Sequence, residues 1–221
     1  MTSTLANELL QLFTALILTN LRITAIAIGV ALPVACLFAM GRLSRHAFVR
    51  WPVTAYVNVL RSMPLLMVVF WAYYTGPMIT GQPASAATAA TVALAAFEIA
   101  YFTEIIRAGI QSVSEGQRRA GLATGLRPGQ VSRLIILPQA LRRMAPSLLT
   151  QSLIAFQDST IASVIGVSDA LHTATIINAR ELQPVEIYAG LAAMFFLICF
   201  GTSRLVLMME RRGQHTGRAI A

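Results

Sequence analysis

The chain has 221 residues, of which 56% are hydrophobic and only 12% charged, against about 45–50% and about 25% in soluble domains. Its formal net charge is +8, and all 17 basic residues are arginine. With no lysine to meet a β/γ-phosphate, a Walker A loop is excluded, and a mean hydropathy of +0.67 points to an integral membrane protein.

Residues 1–11 lack a basic n-region and a small-residue cleavage site, so they read as a short retained tail rather than a signal peptide. Crossing the hydrocarbon takes about 20 apolar residues in a helix, and five stretches meet that length. The first, about 12–40, contains Arg22 and Pro33. The second, about 53–74, contains Arg61 and Pro64. The third, about 85–106, carries ASAATAATVALAAF. Its small side chains let neighbouring backbones approach closely, which predicts a place near the middle of the bundle. The fourth, about 146–167, holds Asp158, and the fifth is about 187–209. The expectation is an all-α polytopic protein with one transmembrane domain over residues 1–221. No sequence repeat is visible.

The arginines gather in alternate gaps. Three follow the first span, seven follow the third and four close the fifth, whereas residues 1–11, 75–84 and 168–186 hold only Arg180. The positive-inside rule places the arginine-rich gaps in the cytoplasm, with the N-terminus outside and the C-terminus inside. This distribution explains the positive charge by topology rather than by nucleic-acid binding. Cys36 and Cys199 lie inside apolar spans and imply no disulfide framework. His46, His172 and His215 have no metal-ligand spacing. Trp51, Tyr73 and Tyr74 sit at span ends, where aromatic anchors are expected.

Ionisable groups inside spans are costly, about 2.5–3.5 kcal/mol each on insertion scales, so they pair or line water. Arg22, Arg61, Glu98, Glu104 and Asp158 qualify. Glu104 and Arg107 lie one turn apart and read as a structural pair. Asp158 is expected near mid-depth, as is Arg61, whose neighbour Pro64 can break the helix there. Two readings stand. Arg61 or Arg22 meets a substrate carboxylate while Asp158, beside Ser159, meets an α-ammonium group; or Asp158 and an arginine form an interhelical pair. Glu98 lines the pathway or faces a subunit interface. Ser159 and Thr160 have no histidine near them in the pattern and do not form a nucleophile set.

The longest cytoplasmic gap, about 107–145, is not disordered in character. SVSEGQRRAGLAT reads as a short helix with Glu115 and Arg119 at i, i+4. Gly125 can end it in the left-handed conformation, and Pro128 can open a second helix, GQVSRLIIL, that stops at Pro138. Helix, corner and helix make a rigid protrusion over about 112–138. This stretch resembles the EAA loop of ABC-importer permease subunits: Glu-Ala-Ala, three residues, Gly, nine residues, Ile, one residue, Leu-Pro. Ala120, Gly125, Ile135, Ile136, Leu137 and Pro138 match, with one place of slack at the Ile. Arg119 stands where the family has Glu, Gly121 where it has the second Ala, and Arg127 where it often has Ser or Thr. YVNVLRSMPLLM resembles the family's Arg-Gly-Thr-Pro-Leu-Leu segment, and AYFTEIIRAGIQSVSEGQ resembles its polar amino-acid branch. FQDSTIASVIGVSDALHTATI is similar to subunits that import glutamate and aspartate.

The resemblance implies the type I importer permease fold in a bacterial inner membrane. It also implies that the loop, with Glu115, Arg119, Ala120, Gly121, Gly125, Leu126 and Pro138, docks on a cytoplasmic ATPase dimer that alone binds ATP and Mg. A second permease subunit and a periplasmic or tethered amino-acid-binding protein complete the assembly; this chain itself needs no cofactor and catalyses no hydrolysis. Glutamine, histidine or arginine are the rival substrates. A secondary transporter or channel is the rival class, but a channel needs no such lever and a secondary transporter usually has more spans in one chain, often as internal repeats. An intramembrane enzyme would need a constellation of acid, base or nucleophile that the sequence does not display.

Overall fold

The computed structural model describes residues 2–83 and 85–218. Met1, Ala84 and residues 219–221, which carry the ends of the expected tails and of one outer gap, lie outside the described residues. Among the described residues every regular element is helical. The chain opens with α1 (Thr2–Ala15), a π-helical turn (Leu16–Leu21) and α2 (Arg22–Arg42), which run on as one rod. The expected tail is therefore helix from Thr2 onward, because the apolar positions Leu12 and Leu16 are fully buried and continue the face of the span. Pro33 sits on the exposed side of α2 without ending it.

The second expected span is two helices, α3 (Ala47–Arg61) and α4 (Leu65–Thr80), whose directions differ by 107°. Ser62 ends α3, its hydroxyl donating to the Asn58 carbonyl at 2.8 Å. Pro64 is extended, with ψ 136, and its ring excludes the helical conformation for the residue before it. α5 (Ala86–Gln111) is the third span. Ser85 caps it by accepting the Thr88 N–H at 3.1 Å. After α6 (Glu115–Ala123) come α7 (Pro128–Val131), a second π turn (Ser132–Ile136) and α8 (Leu137–Asp158). A 3-10 turn (Ser159–Ile165) ends at Gly166, leading to α9 (Ala170–Glu181), bent by 52° from the preceding rod. The fourth span is thus also broken, and α8 ends at Asp158 instead of passing it. α10 (Pro184–Arg218) is continuous.

Among the described residues three helices are long and apolar enough to cross a membrane: Ala6–Arg42, Ala86–Gln111 and Pro184–Met208. Each bent pair, taken as one span, brings the number to the expected five. α5 is central, packing on α2, α3, α4 and α8. Its Ala89, Ala90 and Ala93 meet Ile23, Leu65 and Val69 in the core of one end. Towards the other end, Ala31, Ala35 and Ala39 of α2 meet Phe102 and Ile106 of α5. Small side chains on both helices allow this close approach. A further core joins α1, α9 and α10 around Leu12, Leu16, Ala174 and Ile187. The outer surface of the spans is apolar, with Ile26, Val30, Leu37, Val92 and Phe196 all exposed, as a lipid-facing surface requires.

Candidate functional site

The elbow is built by three local devices. Thr124 ends α6, its hydroxyl donating to the Gly121 carbonyl at 2.8 Å. Gly125 then takes φ +84, a conformation that L side chains resist. Pro128 opens α7 at its first turn. The missing Ser or Thr before Pro128 is compensated in half: the Gln130 carboxamide accepts the Arg127 N–H at 2.9 Å, while the Arg127 guanidinium has no acceptor to return the bond.

Gly121 is buried where α6 lies on the second π turn. A Cβ there would fall 2.7 Å from Ile135 Cδ1 and 3.1 Å from a Val131 methyl, so the departure from Ala fits this elbow's close packing. Leu126 is half-buried in the corner, and Glu115, Arg119 and Ala120 are exposed. Among the described residues Glu115 and Arg119 form no ion pair, although they lie one turn apart on α6.

Pro138 does not stop the chain. The π turn before it absorbs the missing donor: the Leu137 N–H bonds to the Ser132 carbonyl, and Gln139 Nε2 donates to the Ile135 carbonyl at 3.0 Å. The helix therefore runs from the elbow to Asp158. Alongside, the expected Glu104–Arg107 pair forms, with Arg107 Nε 3.1 Å from the carboxylate, and Arg42 of α2 joins it from the other side. Arg143 of α8 donates to the Ser112 carbonyl at the end of α5.

Inside the membrane the sequence-derived residues separate. Glu98 is fully buried and Gln151 of α8 places its Nε2 3.1 and 3.2 Å from the two carboxylate oxygens. It is therefore enclosed within the chain rather than on its outer face. Asp158 lines a small open recess with Ser159, Leu65, Val69, Ala90 and Leu94. Neither Arg22 nor Arg61 pairs with it; among the described residues the ion pairs all involve Glu104. The interhelical Asp158–arginine pair is thus corrected: α8 stops at Asp158, and both arginines point to exposed surfaces. Arg61 stands at the α3–α4 corner with its guanidinium carbon 5.3 Å from the Tyr101 ring centroid, a cation–π geometry.

Reading the sequence missed the polar knot behind Asp158. Asn20, fully buried in the first π turn, donates to Ser159 Oγ at 3.0 Å and Asp169 Oδ2 at 3.2 Å. Its oxygen accepts the Ala170 N–H at 2.9 Å. Asp169 in turn caps α9 by accepting the His172 N–H at 2.8 Å. The knot ties the first rod to the turn that follows Asp158. The one available signal was an asparagine in the apolar run LILTNLRITA.

Residues 10–214 match the family model described as "Binding-protein-dependent transport system inner membrane component". The chain belongs to this family. It is therefore a membrane component of a transport system of that kind, with the fold of an ABC type I importer permease. It is 40% identical over 217 residues to the glutamate/aspartate import permease protein GltK of Escherichia coli, covering 95% of this chain and 96% of that one. It is 33% identical to the arginine ABC transporter permease protein ArtQ of Haemophilus influenzae, over 84% and 85% of the two chains. The crystal structure of an amino acid ABC transporter with histidines contains a chain of the same fold, with TM-score 0.85, 32% identity and coverage of 91% and 94%.

Proposed function

We propose that this chain is the transmembrane subunit of an ATP-driven importer that carries polar amino acids, above all glutamate and aspartate, into the cytoplasm. The observation that carries the reading is the continuity from the Gly125 elbow, through the second π turn, to Asp158 in the membrane interior. A displacement of the elbow has a stiff path to a polar turn. The relatives named for glutamate/aspartate and arginine transport support an amino-acid cargo, and the higher identity with the former supports the acidic choice.

In this reading Glu115, Arg119, Ala120, Gly121, Gly125 and Leu126 form the docking elbow for a cytoplasmic ATPase dimer, which binds ATP and Mg. Pro138 marks where the elbow joins α8. A second permease subunit closes the pathway, and a binding protein delivers the substrate. The arginine-rich ends of the spans support a cytoplasmic elbow and C-terminus with the N-terminus outside. Arg61, exposed at the corner, meets a substrate carboxylate; Asp158, with Ser159, receives the α-ammonium group. Arg22 lies on the outer face of the first rod, at the end of its π turn, and supplies a second positive charge to the pathway.

The test uses the purified complex in vesicles with its binding protein and ATPase. Aspartate and glutamate should stimulate ATP hydrolysis and uptake most strongly. Preference for arginine, histidine or glutamine would reject the acidic cargo, and amino-acid-independent uptake would reject the importer.

A further inference from the structure

The elbow hangs from two helices, α5 before it and α8 after it. They touch near the cytoplasmic end, where Gly109 of α5 lies against Met144 of α8 and Arg143 donates to the Ser112 carbonyl. Those contacts alone would let the helices scissor about their lower ends. Deeper in the membrane they are joined by side chains a second time, through Glu98 and Gln151.

A fully buried carboxyl is an expensive way to join two helices. An apolar pair of the same volume would fill the space without that cost. A polar pair adds direction and register: an amide and a carboxyl bond only in a narrow range of separations and angles. Lipid offers no competing donor or acceptor, so slippage would leave both groups unpaired. Gln151 lies seven residues before Asp158, about 10 Å along α8.

We propose that the Glu98–Gln151 pair is a positioning joint that locks α5 and α8 into one arm, so that movement of the elbow reaches the Asp158 turn instead of being lost in scissoring. The proposal rests on the lever reading above and adds to it the two residues that make the lever stiff. Glu98 and Gln151 do not touch substrate; they act through the turn that α8 carries.

The experiment compares Glu98→Gln, Glu98→Met and Gln151→Met in the reconstituted complex, with aspartate as the transported probe. Glu98→Gln keeps an amide–amide pair and should retain the wild-type ratio of transport to ATP hydrolysed. The two methionine variants should lose about tenfold in that ratio, the factor that 1.4 kcal/mol represents, while ATP hydrolysis and its half-saturating binding-protein concentration stay near wild type. Wild-type coupling in a methionine variant would overturn the joint, as would collapse of Glu98→Gln, which would point to charge.

If the methionine variants fail to assemble, the otherwise wild-type chain supplies the second measurement. Spin labels at Val92 on α5 and Ile154 on α8, with Cys36 and Cys199 replaced by Ser, should keep one distance distribution as ATP binds. A shift of several ångströms would overturn the joint. Uptake that survives deletion of the elbow would instead sink the lever reading itself.

Discussion

The contact between α5 and α8 at Gly109 can be tested by adding one methyl group. In Gly109→Ala the new Cβ would fall 2.8 Å from Met144 Cβ and 3.0 Å from its Sδ. Carbon atoms rest at about 3.5–4.0 Å, so the helices must part by roughly 1 Å. Met144 Cβ is fixed to the α8 backbone, and no rotamer change moves it. Overpacking of this kind costs about 1–3 kcal/mol. Replacing glycine by alanine in a helix also favours the helix by about 0.8–1.0 kcal/mol, which would mask part of the loss. Gly29→Ala isolates that gain, because nothing lies within 4 Å of a Cβ at Gly29 on α2. The difference between the two variants is then the overpacking alone. At about 2–4 °C per kcal/mol for a chain of this size, Gly109→Ala should melt ~2–12 °C below Gly29→Ala. The assay is thermal unfolding of the purified permease in mild detergent, followed by helical circular dichroism. A melting point for Gly109→Ala equal to or above that of Gly29→Ala would refute the close crossing.

Gly125→Ala forces an L side chain into φ +84 and should cost about 1–2 kcal/mol; amide exchange around residues 124–127 should quicken about 5–30-fold. Asn20→Ala leaves the Ala170 N–H without its acceptor and takes one donor from the Asp169 carboxyl; it should destabilise by about 1–3 kcal/mol, read as a lower melting point. Glu104→Gln removes the negative charge shared by Arg42 and Arg107 and leaves one neutral acceptor oxygen; it should cost about 1.5–3 kcal/mol, with little further loss on adding Arg42→Ala in a double-mutant cycle. Arg119→Glu restores the family's carboxylate on an exposed face; with a partner ATPase adapted to arginine it should weaken stimulation, and a large improvement would reject that adaptation.

Helix existence was legible because apolar length dictates it in lipid, and the middle position of α5 followed from its alanines. Less legible was the first rod. Its buried positions Glu8, Leu12, Leu16, Asn20 and Thr24 recur every four residues. In a regular α-helix such a stripe drifts about 40° per repeat. The wide turn at Leu16–Leu21 takes up this drift, so Asn20 faces the core rather than lipid. A reading at 3.6 residues per turn cannot foresee a widened turn, and Asn20 went unnoticed. Glu98 was found, but its partner was not: Gln151 lies 53 residues away, and only the crossing of α5 and α8 brings the two together. The absence of an Asp158–arginine pair has the same origin, since the end of α8 and the α3–α4 corner aim these groups differently.

Two prolines show why the breaks were harder to read than the spans. Pro138 follows an apolar run and Pro64 opens one, and each removes a backbone donor. At Pro64 the preceding residues close the helix. The Ser62 hydroxyl and N–H both turn back to the Asn58 carbonyl, and the Met63 N–H bonds to the Leu60 carbonyl at 3.4 Å. With those acceptors taken, the chain leaves in the extended conformation and α4 departs at 107°. At Pro138 the carbonyls are satisfied within a widened turn, by the Leu137 N–H and by the Gln139 carboxamide. The helix bends its hydrogen-bonding pattern instead of its axis and continues. What surrounds a proline, more than the proline, therefore decides between corner and rod. Here the corner leaves Arg61 exposed beside Tyr101, and the rod runs on from the elbow to Asp158.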